Sequence, residues 1–208
     1  MKDKFLKDQQ RKLAIGSIDR RQFISSAVAA GVVLPTAMTM ATQALAAPNK
    51  GGHVKLALGH GSTTDTLDPA TFENGWSNMV GYMIRNHLTE VGSDGQLRGE
   101  LAESYESSDG KTWIFHLRKG VEFHNGKSLT QDDVIASLQH HMGEDSQSAA
   151  KGLLTAVESM TKDGSNSIKI VLKSPNADFP FIVSDYHLAI CPESGGKINP
   201  TDGIGTGY

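Results

Sequence analysis

Between Lys111 and Arg118 the side chains alternate strictly, and this pattern limits the possible folds more than any other in the chain. Trp113, Phe115 and Leu117 fall on one side, and Thr112, Ile114, His116 and Arg118 on the other. A period of two is the geometry of a half-buried β-strand. Ile168, Ile170 and Leu172 repeat the pattern within residues 167–173. Residues 157–161 precede them across Lys162-Asp163-Gly164-Ser165-Asn166, which reads as a hairpin turn. Asp109-Gly110 supplies a second hairpin signal just before the first strand. Strands with one oily face need a cover. The segment Thr130-Gln131-Asp132-Asp133 offers a helix start, with Thr130 as cap and Asp133 reaching back. Both Asp132 and Asp133 suit the positive end of a helix. Val134, Ile135, Leu138 and Met142 then form its apolar stripe, and Gly143 is placed to end it. Strands and helices occur without regular βαβ alternation, so the fold class is α+β.

Other elements are read in the same way. Val54, Leu56 and Leu58 alternate and predict a strand over residues 53–58, followed by a small polar loop, Gly59 to Asp65. Trp76, Met79, Val80, Met83, Ile84, His87 and Leu88 recur at three- and four-residue intervals and predict a helix over 76–88 with that stripe in the core. Short strands at 88–91 and 96–97 flank Gly92-Ser93-Asp94-Gly95. Val121 and Phe123 continue in extended form towards the turn Asn125-Gly126. A further helix is expected from Ser148 to about Leu154, and Asp178-Phe179-Pro180-Phe181 reads as irregular.

The charge is unevenly distributed. Residues 1–46 carry seven Lys and Arg against three Asp, while residues 47–208 carry thirteen basic against twenty acidic side chains. The acidic part is a poor nucleic-acid binder, because phosphate neutralisation needs Lys and Arg. From Phe23 the sequence becomes small and apolar, with no charge between Arg21 and Lys50. Ser, Thr and Gln dilute this stretch and Pro35 interrupts it, which argues against a permanent membrane span. Ala44-Leu45-Ala46 has the small-x-small pattern of a signal cleavage site, with the cut after Ala46. The junction Asp19-Arg20-Arg21-Gln22-Phe23-Ile24 resembles a twin-arginine export signal. It carries Asp19 where Ser or Thr is usual. This resemblance implies export by the twin-arginine machinery, with Arg20, Arg21 and Phe23 as the signal residues, to a soluble life beyond the inner membrane. No cysteine lies near the cut to carry a lipid anchor.

Motifs of catalysis are sparse. There is no GxSxG elbow and no phosphate loop, and Gly203 to Gly207 lacks the strand–helix setting of a dinucleotide site. Eight histidines invite a metal reading. None forms HExxH or an i, i+4 pair, and the adjacent His140 and His141 diverge on a helix. No metal and no cofactor is therefore expected. The single thiol, Cys191, excludes an intrachain disulfide. It sits beside Pro192 with no identifiable base, so a secreted hydrolase using Cys191 or the acidic residues is the weaker alternative.

One long segment carries a resemblance. It comprises Leu101-Ala102-Glu103-Ser104-Tyr105, then Asp109-Gly110-Lys111-Thr112-Trp113-Ile114-Phe115-His116-Leu117-Arg118-Lys119-Gly120-Val121-Glu122-Phe123-His124-Asn125-Gly126, then Leu129 to Val134. This closely resembles the signature of the family 5 extracytoplasmic solute-binding proteins of ABC importers. Leu67-Asp68-Pro69, Asn176 to Pro180 and Gly203 to Tyr208 fit in order, so the resemblance covers about residues 51–208. It implies a non-catalytic, periplasmic-binding-protein-like, two-lobed receptor in the periplasm. Such a receptor captures a peptide, or a nickel chelate or other small solute, and delivers it to ABC permease subunits in the inner membrane. Residues 1–46 would be the signal peptide. Residues 47–208 would be the N-terminal part of the binding domain, with an inserted subdomain at about 70–178 and the second lobe outside these 208 residues. The signature positions read as subdomain core. The ligand-side candidates are Ser62, Thr63, Thr64 and Asp65 in the first loop, and Asp185, Tyr186 and His187 in the later one.

Overall fold

The structure is a computed structural model that describes residues 2–46 and 53–206. Gly51, Gly52, Gly207 and Tyr208 lie outside the described residues. Two compact units divide the chain, residues 1–56 and residues 57–208.

The first unit holds three helices: α1 (Lys2–Ala14), α2 (Arg20–Ala29) and α3 (Leu34–Ala46). Asp19 caps α2. Its carboxylate accepts from the Gln22 backbone N–H at 2.7 Å, while the Gln22 side chain accepts from the Asp19 N–H at 2.9 Å. The residue that departs from the usual export motif thus fixes the start of the helix carrying Arg20 and Arg21. Gly31, at φ 81°, ends α2, and Pro35 sits in the first turn of α3, where its missing N–H costs nothing. The apolar stretch is therefore broken into two short helices. Among the described residues no helix is long and apolar enough to cross a membrane. Leu6, Leu13, Phe23, Ala27, Ala37, Ala41 and Ala44 form a small core.

The second unit is built on an antiparallel sheet of order β3-β4-β6-β5. Its strands are β3 (Ala102–Glu106), β4 (Thr112–Leu117), β5 (Val157–Asp163) and β6 (Ser167–Leu172). The expected alternation holds. Trp113, Phe115 and Leu117 are buried; β6 pairs Ile168 opposite Phe115 and Ile170 opposite Trp113, and β3 places Ala102 opposite Leu117. The Asp109 carboxylate accepts from the Lys111 and Thr112 N–H groups and pre-forms the hairpin turn, with Gly110 at φ 67°. Helix α5 (Gln131–His140) lays Val134 and Leu138 over this face. Its side chain Gln131 donates to the Ser167 carbonyl at 2.6 Å, and Asp132 pairs with Lys162 at 2.7 Å. Each large apolar side chain buried here contributes on the order of 1.5–3 kcal/mol.

Around this core run α4 (Gly75–Ile84), the hairpin β1 (Thr89–Val91) with β2 (Leu97–Gly99), the single turn α6 (Phe179–Ile182), and a two-residue hairpin, β7 (Glu193–Ser194) with β8 (Lys197–Ile198). Five expectations are corrected. Residues 53–58 are not a strand: no neighbour pairs with them among the described residues, and Val54, Leu56 and Leu58 are 82%, 57% and 40% exposed. The helix expected over 76–88 stops at Ile84 and buries Ser77 and Gly81 rather than the apolar stripe, leaving Met83 66% exposed. Gly81 is pressed against Phe72; a Cβ there would lie 2.5 Å from the ring. Ser148 to Leu154 forms only a 3₁₀ turn, Lys151–Leu154, and α5 ends before Gly143 because His141 caps it. The stretch 178–181 is part of a helical turn rather than irregular.

Candidate functional site

The first candidate loop is a self-bonded turn. The Asp65 carboxylate accepts from the Ser62 N–H at 2.6 Å, and the Ser62 and Thr64 hydroxyls are 2.9 Å apart. The other oxygen of Asp65 accepts from the Asn74 side chain at 2.8 Å, and Asn74 caps α4. Asp65 therefore holds the turn against the start of α4. Ser62, Thr63 and Thr64 are left exposed. His60, just before, takes the left-handed conformation at φ 67°, rare for a residue with a side chain.

The second candidate segment follows α6. Asp185 accepts from both the backbone N–H and ring Nδ1 of His187, at 3.0 and 2.7 Å. Burial acts to raise the Asp185 pKa, but the His187 bonds outweigh it and hold the carboxyl below its ordinary value. Tyr186 lies over the His187 ring with centroids 4.0 Å apart. Beside this segment lies a cavity of about 380 Å³ lined by Tyr82, His87, Thr89, Glu90, Glu100 and Ser184, among others. Glu100 is its anchor, accepting from the Asn86 side chain and from the His87 N–H. Burial first, then the negative charges of Asp185 and Glu100, raise the Tyr82 phenol pKa. With Glu90, Glu100 and Asp185 the region offers acceptors and negative charge, and so suits N–H donors and cations. Sequence reasoning missed Glu100 and Ser184 here, and read His87 as part of a helix stripe and as one of eight scattered histidines.

The two candidate segments are not joined: among the described residues no hydrogen bond or ion pair links 62–65 with 185–187. Nor do the histidines assemble. His87, His141 and His187 are all buried, each with Nδ1 facing a partner and Nε2 without one. No group of three His, Cys, Asp or Glu among the described residues is placed to hold a metal ion. Cys191 is fully buried, and burial pushes its thiol up to about 11, which removes it as a nucleophile at neutral pH.

His141 makes the fold acid-sensitive. Burial, then the charge of neighbouring His140, pushes its pKa down to about 4, against 6.5 when free. The unfolded chain thus binds the proton first, and stability falls as pH drops from about 6.5 to about 4, by roughly 3 kcal/mol in total. Asn in its place keeps a polar atom for Ser148 Oγ, which lies 2.6 Å from His141 Nδ1, and cannot titrate. In urea melts, His141→Asn is expected to lose markedly less stability than the parent across that window. Parallel pH profiles would disprove the assignment.

The model of "Bacterial extracellular solute-binding proteins, family 5 Middle" matches residues 96–208. The chain is 27% identical over 191 residues to the "Probable peptide ABC transporter periplasmic-binding protein y4tO" of Sinorhizobium fredii, covering 90% of this chain and 34% of that one. It is 33% identical over 81 residues to the periplasmic oligopeptide-binding protein OppA of Haemophilus influenzae, covering 38% of this chain and 15% of that one. Among solved structures, the PBP AgaA from A. tumefaciens R10, in complex with agropinic acid, superposes with a TM-score of 0.59 at 30% identity, over 61% of this chain and 26% of that one. The chain thus spans about a third or less of the length of these relatives. The matched model covers the whole sheet, α5, and the segment carrying Asp185 to His187. The chain belongs to the bacterial extracellular solute-binding proteins, family 5.

Proposed function

We propose that this chain is the solute-binding component of an ABC importer for peptides, working outside the inner membrane and handing its solute to permease subunits. The observation that carries this reading is the family match, joined to two relatives named for peptide and oligopeptide binding. In this reading residues 1–46 are a twin-arginine signal cut after Ala46, and 47–208 are binding domain with an inserted subdomain at about 70–178. Ser62, Thr63, Thr64 and Asp65 offer hydroxyls and backbone groups to a peptide main chain. Asp185 and Tyr186 offer a carboxylate and a flat ring.

The test is NMR titration of the chain with millimolar di- and tripeptides. Amide shifts are expected at 62–65 and 184–187, with Asp185→Asn weakening the response severalfold. A peptide panel that moves no resonance would overturn the peptide reading. Shifts confined to other residues would remove Ser62 to Asp65, Asp185, Tyr186 and His187 from the site.

A further inference from the structure

In the first unit the two halves of the export motif are treated differently. Arg20 and Arg21 are exposed at the start of α2, but Phe23, two residues on, is fully buried. Ala27, Ala37 and Ala41, in the apolar part of the signal, are also at 0% exposure, and Ala44, before the expected cut, is at 7%. Part of the cover comes from α1, the segment ahead of the arginine pair. Leu6 and Leu13 of α1, 8% and 2% exposed, pack in the same cluster. They lie seven residues apart, hence on one face of that helix. Lys2 closes the arrangement by donating to the Gly31 carbonyl at 3.0 Å, at the turn between α2 and α3. Arg20 itself donates to the Thr42 hydroxyl of α3 at 3.2 Å.

We propose that α1 is an intramolecular cover for the export signal: Leu6 and Leu13 hold Phe23 and the alanine face of α2 and α3 out of reach, and the signal is presented when α1 lifts away. This rests on the export reading above. A side chain at 0% exposure cannot be read by a partner, so recognition of Phe23 requires the core to open. The open fraction then scales the apparent affinity of whatever reads the signal. The cover is a small one, made of two leucines, a phenylalanine and alanines.

The test uses the full chain with a cysteine probe, Ala41→Cys or Ala27→Cys. The native Cys191 thiol is buried and its pKa is raised to about 11, so it gives little background. Both probes are expected to react slowly with a thiol reagent in the parent. They should react about tenfold faster when Leu6→Gln and Leu13→Gln are combined, since losing two buried leucines shifts the open population at least that far. The same double variant, made without a probe, should be exported faster from cells. Phe5→Gln, on the exposed side of α1 at 42% exposure, should change neither rate. Fast labelling at both probes in the parent, or export unchanged once labelling has risen, overturns the cover. A separate arm tests the reading beneath it: Arg20→Lys with Arg21→Lys should abolish export. Export at the parental rate there refutes the twin-arginine reading itself, whatever the labelling shows.

Discussion

Arg85→Leu is expected to destabilise the 57–208 unit by about 4 kcal/mol, which is on the order of 10 °C in Tm for a domain of this size. Arg85 is 2% exposed, and its guanidinium donates to three backbone carbonyls from distant parts of the chain. These are Leu67 at 2.5 Å, Pro200 at 2.8 Å and Ile204 at 3.3 Å. Loop closure over more than a hundred residues is thereby fixed by one side chain. Leucine keeps part of the volume but strands all three carbonyls in a dry site, each at roughly 1–3 kcal/mol. Lysine keeps the charge without the planar fork, so Arg85→Lys should fall between the two. Trp76 and Trp113 both lie in this unit and report its unfolding in urea. A loss under 1 kcal/mol for Arg85→Leu would mean that the three carbonyls are satisfied in other ways.

Arg85 also shows where the sequence stops being readable. The sheet was legible because its signals are local: alternation at 112–117 and 167–172 and the Asp109-Gly110 turn need no knowledge of the rest of the chain. The α5 start was legible for the same reason. What failed was what depends on distant partners. The stripe of residues 76–88 has helical spacing, yet the packed face is Ser77 and Gly81, because Phe72 needs a neighbour without a side chain. Gly205 is similar: a Cβ there would lie 1.6 Å from the Ile84 carbonyl oxygen, a contact that glycine spacing alone could not announce. Residues 53–58 have strand periodicity but no pairing strand among the described residues, and periodicity without a partner makes no sheet. The candidate site divides along the same line. Residues 62–65 and 185–187 are named by the sequence through their own polar side chains, and most of the hydrogen bonds they make are local. Glu100 is tied to Asn86 and His87 from across a hairpin, and nothing in its own neighbourhood marks it.

Asp133 was read as a capping residue, and the structure gives it a larger task. Its carboxylate is fully buried and takes four donors. One oxygen accepts from the Thr130 N–H at 2.7 Å and the Thr130 hydroxyl at 2.6 Å. The other accepts from Lys127 Nζ and, at 2.7 Å, from the Glu193 N–H. Lys127 in turn pairs with the Glu193 carboxylate at 3.2 Å. Burial acts to lower the Lys127 pKa, but the hydrogen bonds and charges of Asp133 and Glu193 outweigh it and raise it. One residue thus joins the turn before α5, the helix itself and the β7–β8 hairpin. Asp133→Ala should cost about 4 kcal/mol, since it leaves buried donors without an acceptor and an ammonium with half its countercharge. Asp133→Asn should recover little, because its amide group turns N–H toward N–H. Lys127→Met should cost less than either, because the Lys127 side chain is 32% exposed and water replaces part of what is lost. A double-mutant cycle of Asp133→Ala with Lys127→Met measures the pair directly, with an expected coupling of about 2 kcal/mol. A coupling near zero would reduce Asp133 to the helix cap that its sequence position suggests.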